Sequence, residues 1–126
     1  MSAFKPDHMH AHVHASPNFG PRKDGKRVGI LILHYTGMET GEAAESWLAN
    51  PASGVSTHYL VHEDGRIVQM VPESQRAWHA GQGAWKGEAD INSCSIGIEI
   101  VNGGPLLGYP DFAGAQVDAV IDLCKA

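Results

Sequence analysis

The stretch from Val28 to Gly37 reads Val-Gly-Ile-Leu-Ile-Leu-His-Tyr-Thr-Gly and constrains the fold of this chain more than any other. A short, apolar, β-branched-rich run bounded by glycine predicts a strand buried on both faces. His34 stands where that strand emerges. An imidazole at the end of a rigid strand can hold a metal or a substrate in fixed geometry. A lone histidine there can equally be a hydrogen-bonded residue with no chemical role, so its meaning depends on the rest of the chain.

The chain has 126 residues, enough for one compact domain with a modest core. A formal net charge of −5, with no cluster of Lys and Arg, argues against a nucleic-acid surface. No apolar run is long enough to span a membrane. The N-terminus lacks the apolar core of a secretory signal. The expected compartment is therefore the cytoplasm, with the periplasm the alternative if a signal has been removed. Cys94 and Cys124 are too few and too far apart for a disulfide framework or a zinc knuckle, and read as reduced, packed thiols.

Residues 1–27 read as a histidine-containing arm, with the folded domain expected over 28–126. His8, His10, His12 and His14 alternate, which places their rings on one side of an extended segment. Such a tract can bind transition metals, or it can be a solvated tail. Thr40 is placed to cap a helix whose apolar face is Ala43, Ala44, Trp47 and Leu48, ended by Asn50-Pro51. Trp47 is expected in the core. Residues 57–71 predict a β-hairpin about Asp64-Gly65, with a type I′ turn. His62 is expected solvated near that turn. His58 can line a site or pack as a buried, hydrogen-bonded ring.

Residues 73–93 combine glycines with Trp78, His79 and Trp85 and show no period. They predict a long loop of the kind that carries function, suited to a sugar- or peptide-binding wall. Ser95 to Val101 then alternates: Ile96, Ile98 and Ile100 point one way, Gly97, Glu99 and Val101 the other. A carboxylate centred in an apolar strand is costly without a partner, and no neighbouring Arg or Lys offers one. Glu99 is therefore a candidate catalytic carboxylate with a raised pKa. A Gly- and Pro-rich loop leads to a helix from about Asp111, with Val117, Val120, Ile121 and Cys124 as its apolar face.

Leu-His34-Tyr-Thr, Val-Ser-Thr-His58-Tyr before the Asp-Gly hairpin, Ala-Trp-His79-Ala-Gly and Ser-Ile-Gly-Ile-Glu99 occur in that order. In this the chain resembles the zinc-dependent N-acetylmuramoyl-L-alanine amidases of type 2, the family that also holds peptidoglycan recognition proteins. The resemblance covers about residues 16–126. It implies an α/β (α+β) fold, with a central mixed β-sheet flanked by helices. It implies hydrolysis of the amide between N-acetylmuramic acid and L-alanine in peptidoglycan or muropeptides, in bacterial wall turnover and recycling. By the same resemblance His34 is a zinc ligand and Glu99 the catalytic carboxylate. Tyr35, Trp78, His79 and Trp85 are the expected substrate-binding residues, the last three from the composition of their loop, and His79 also matches a family histidine beside the groove that does not bind zinc.

The family's second His and its Asp or Cys lie in a segment after the helix that here reaches Ala126. The resemblance thus implies a fold truncated at its C-terminus. It also implies an incomplete zinc site, an apolar strip left open, and a place for a second chain to complete the fold. The alternative function is a non-catalytic muropeptide-binding module.

Overall fold

The computed structural model describes residues 4–23, 27–38, 40–80, 90–103, 112 and 114–125. The organising strand, β3 (Ile30–Tyr35), pairs in parallel with β7 (Ser95–Ile100), so that His34 lies opposite Glu99. On its other side β7 runs parallel to β4 (Tyr59–Val61), which pairs antiparallel with β5 (Ile67–Gln69). An edge strand, β1 (Ala11–Val13), lies parallel to β5 and completes the order β1-β5-β4-β7-β3. A separate antiparallel pair joins β2 (Phe19–Pro21) to β6 (Gln75–Ala77). The central sheet is mixed, as expected.

Helices cover both faces. The first, α1 (Gly41–Leu48), begins as its sequence predicts, with the Thr40 side chain accepting from the amide of Ala43 at 3.1 Å. Ala44 and Leu48 pack on Leu60, Val68, Met70 and Val101, the side of the sheet that carries His34 and Glu99. On the opposite face Tyr59, Val61, Ile67, Ile98 and Ile100 pack with Leu123, Ala119 and Val120 of α3 (Gly114–Lys125). A short turn of helix, α2 (Ile91–Cys94), leads directly into β7.

Several expectations are corrected. The stretch read as a free arm is built into the fold: Ala11–Val13 is a sheet strand, and Ser16 and Asn18 are buried. Backbone pairing and side-chain anchors hold it, including His14 and His62, which both contact the Glu45 carboxylate. His62 is accordingly buried, and not solvated beside the turn.

The hairpin stands, but its loop is Glu63-Asp64-Gly65. His62 and Arg66 close it, and Gly65 alone of its residues is a glycine at positive φ, +90°. A three-residue loop ending in a left-handed glycine replaces the two-residue type I′ turn. Part of the expected 73–93 loop is regular, as β6 and α2.

The strand β3 is half-buried on one face and exposed on the other. Leu31, Leu33 and Tyr35 point to the α3 side and are about half exposed, because β3 is the edge of the sheet. The buried contacts of α3 are also one residue out of phase with the expected stripe. Gln116, Ala119, Val120 and Leu123 face the sheet while Val117, Ile121 and Cys124 face out. The reason is polar. The Gln116 amide donates to the carbonyls of Val61 and Val101 and draws that face inward. Val117 and Ile121 stay exposed on α3, as Leu31, Leu33 and Tyr35 do on the sheet face it packs against, an open apolar strip.

Candidate active site

A groove of about 350 Å³ opens on the α1 side of the sheet, with Glu99 and His79 in its lining. Its walls come from α1 (Ala44, Trp47, Leu48), from Val55 and Ser56 after it, from Trp78 next to His79, and from Thr36 and Met38 beyond β3.

Register places the carboxylate. Glu99 sits between His34 on one neighbouring strand and Leu60 on the other, and paired residues of parallel strands share a face. One oxygen, Oε2, is buried with no hydrogen-bond partner among the described residues. Burial raises the Glu99 pKa to about 7. A carboxyl poised there can both take and return a proton near neutrality.

His34 is half-buried, and burial lowers its pKa, which favours the neutral ring. Its Nε2 lies 3.2 Å from Nδ1 of His79, with the rings edge to face at 5.4 Å. His79 packs directly over Gly97, where an added Cβ would come 2.4 Å from the ring. Its Nε2 lies 2.8 Å from the Ser95 hydroxyl. Burial, then the neighbouring His58, His34, Arg22 and Arg76, hold the His79 pKa down at about 3.

His58 is fully buried behind this pair. Its Nδ1 accepts from the Gly97 amide at 3.1 Å, and its Nε2 lies 2.9 Å from the Gln75 carbonyl, to which it donates. Of the two readings open for His58, the packed, hydrogen-bonded ring is what the structure contains.

The groove therefore brings together Glu99, Trp78 and His79, with His34 against His79. It does not include Tyr35, which alternates with His34 and lies on the opposite, α3 face of the sheet. The groove takes its β3-end contact from the following residue, Thr36. Trp85 lies outside the described residues.

Three contributors were missed by the sequence reading. Trp47 is half exposed and walls the groove, although its helical stripe marked it as core. Gly97 and Ser95, spaced two and four residues before Glu99, share its face and seat His79. The alternation of β7 was the signal available for both.

Zinc is the group implied by the resemblance. A neutral His34 imidazole beside an unpartnered Glu99 oxygen suits the edge of such a site. Among the described residues, however, no group of three His, Cys, Asp or Glu is placed to hold a metal ion. These residues do not by themselves form a closed zinc site.

A family model described as N-acetylmuramoyl-L-alanine amidase matches residues 24–126. The chain is 34% identical over 122 residues to the 1,6-anhydro-N-acetylmuramyl-L-alanine amidase AmpD of Citrobacter freundii, covering 83% of this chain and 65% of that protein. It is 38% identical over 112 residues to the N-acetylmuramoyl-L-alanine amidase AmiD of Escherichia coli K12, covering 79% of this chain and 39% of that protein. A crystal structure of a selenomethionine AmpD derivative superposes with a TM-score of 0.78 at 28% identity, over 98% of this chain and 76% of the other. The complex of E. coli AmiD with anhydro-N-acetylmuramic acid-L-Ala-D-γ-Glu-L-Lys superposes with a TM-score of 0.70 at 34% identity, over 89% and 45%. The chain thus spans just under two thirds of the AmpD it matches, and well under half of AmiD.

Proposed function

We infer the function from one premise: the chain belongs to the N-acetylmuramoyl-L-alanine amidase family. The reading that its site supports best is hydrolysis of the amide between the lactyl group of N-acetylmuramic acid and L-alanine, in a muropeptide or in peptidoglycan. One observation carries it: Glu99, which lines the groove with a buried oxygen unpartnered among the described residues, shares a sheet face and a strand register with His34.

In this mechanism the Glu99 carboxylate takes a proton from a water as the water oxygen bonds to the scissile carbonyl carbon. Glu99 then returns that proton to the alanine nitrogen as the carbon–nitrogen bond breaks. The products are the lactyl carboxylate and a peptide with a free amino end. A pKa near 7 suits both transfers. The aromatic walls Trp47 and Trp78 hold the muropeptide and keep bulk water off the reacting atoms.

The proposed cofactor is zinc, with His34 as one ligand and the others from outside the described residues. When bound, it supplies polarisation of the carbonyl and a lowered pKa for the attacking water. The cytoplasm is the proposed compartment, with the periplasm the alternative.

The test is release of peptide from an anhydro-muropeptide, with added zinc, by this chain and by its Glu99→Gln variant. Glu99→Gln is expected to cut turnover by about 10²–10⁴-fold, the usual contribution of a positioned acid–base group. Near-normal turnover by Glu99→Gln would remove the role assigned to the carboxylate. Tight binding with no turnover by the parent chain would favour the second reading, a muropeptide-binding module. That reading draws on the absence of a three-ligand metal group among the described residues.

A further inference from the structure

The strand that carries Glu99 also carries a hydroxyl to which the hydrolytic reading gives no task. Ser95 is fully buried, on the same face of β7 as Gly97 and Glu99. Its Oγ makes two contacts, 2.7 Å to the carbonyl oxygen of Ile91 and 2.8 Å to Nε2 of His79. A serine hydroxyl has one proton to donate, and a carbonyl oxygen can only accept. The Ser95 proton therefore goes to Ile91. Turned toward His79, it would leave two oxygen lone pairs facing each other at 2.7 Å.

The rest follows atom by atom. Ser95 Oγ accepts, so Nε2 of His79 carries a proton and donates to it. The His79 ring meets Ser95, His34 and His58, with no carboxylate paired to it among the described residues, so nothing there balances a second proton, and a neutral imidazole has a single N–H. Its Nδ1 is then a lone pair. The atom 3.2 Å from that lone pair, Nε2 of His34, must carry the proton that joins them. Hydrogen-bond direction runs from His34 to His79 to Ser95 to the Ile91 carbonyl, and a carbonyl at the end of the line cannot reverse it.

We propose that Ser95 is a positioning residue which, through His79, fixes His34 as the Nε2–H tautomer and leaves its Nδ1 lone pair as the nitrogen offered to a cation or a proton. A histidine that binds a metal is commonly held in one tautomer by the partner of its other nitrogen. Here that partner is a second imidazole, itself locked by a serine and seated on a glycine. The arrangement explains why Gly97 has no side chain: a Cβ would occupy the place of the ring that transmits the lock.

The proposal deepens the reading of His34 in the amidase site, but its test does not depend on turnover. Long-range ¹H–¹⁵N correlation spectra of the metal-free protein, recorded above pH 7, report which nitrogen of each histidine is protonated. Both His34 and His79 are expected as single Nε2–H tautomers, each with an Hε2 signal protected from exchange. In Ser95→Ala the His79 ring loses its acceptor, and the ring nitrogens of both histidines should move toward values averaged over two tautomers. Ser95→Thr, which keeps the hydroxyl, should restore the single-tautomer pattern. His34 protonated on Nδ1 in the unsubstituted protein would overturn the proposal without any variant. So would a folded Ser95→Ala whose His34 ring shifts are unchanged.

Discussion

Gly97 and His79 occupy one place between them: a Cβ on the glycine would lie 2.4 Å from Cγ of the imidazole and 2.6 Å from its Nδ1. Gly97→Ala must therefore displace the ring, because the strand on which the glycine sits is paired on both sides. The cost expected for such overpacking is about 1–3 kcal/mol, read as a lower denaturant midpoint. The same variant should lose the protected His79 imidazole proton. An alanine variant with unchanged stability and an unchanged His79 signal would contradict the packing described.

Glu99 makes stability depend on pH. Burial lifts its pKa from 4.5 to about 7, so the folded protein holds this proton more tightly than the unfolded chain does. The contribution is complete below about pH 4.5 and is lost as pH rises through about 7. Glu99→Gln removes the ionisation. Relative to the parent chain, the metal-free Gln variant should gain roughly 1–3 kcal/mol between pH 5 and pH 8. Urea denaturation at the two pH values measures this, and a difference that stays constant would remove the buried-charge assignment.

Trp47 and Tyr35 separate the groove from the opposite face. Trp47→Ala should weaken muropeptide binding by roughly tenfold, the equivalent of about 1.4 kcal/mol of lost contact. Tyr35→Ala should leave binding unchanged, since its ring stands on the α3 side. Calorimetric titration of both variants checks the pair. A loss confined to Tyr35→Ala would show that the substrate lies on the other side of the sheet.

Asn18 ties the N-terminal segment to the groove wall. Its amide nitrogen donates to the carbonyls of Asn50 and Val55, both at 2.9 Å, and lies 3.2 Å from the Ser53 hydroxyl. Ser16 adds a hydrogen bond to the Leu48 carbonyl, and Ser56 donates to the carbonyl of Asn18 while accepting from the Trp78 amide. Asn18→Ala leaves several acceptors unpaired and should cost about 1–3 kcal/mol in thermal or chemical unfolding. Because Trp47 and Trp78 lie beside these anchors, their fluorescence should shift as well. A variant of full stability would show that water replaces the amide at little cost.

The elements visible in the sequence are those whose signals are local. Thr40 capping α1, the Asp-Gly hairpin and the alternation of Ser95–Val101 need only neighbours in the chain to be read. The strands of residues 11–13 and 19–21 were not visible. Three residues carry no period, and their pairing partners, Ile67–Gln69 and Gln75–Ala77, lie more than fifty positions away. The buried face of α3 was misread because an apolar stripe pointed to one side of the helix, while Gln116 and two strand carbonyls decided which side turns inward. For the site, His34, Trp78, His79 and Glu99 could be picked out as residue types. Trp47 and Ser95 could not, because their roles depend on what the fold brings opposite them.

The parallel register of β3 and β7 has a consequence for how this protein fails. The separation of His34 and Glu99 is set by the backbone ladder between the two strands, with no flexible loop holding either residue in place. Within it, Ile98 and Ile100 of β7 lie in the apolar layer against α3, and Val101, next in the chain, lies in the layer against α1. Heat or denaturant parts the imidazole from the carboxylate only by opening the six paired positions of this ladder. The proton-transfer geometry should persist to the edge of the unfolding transition and vanish with it, in a single cooperative step.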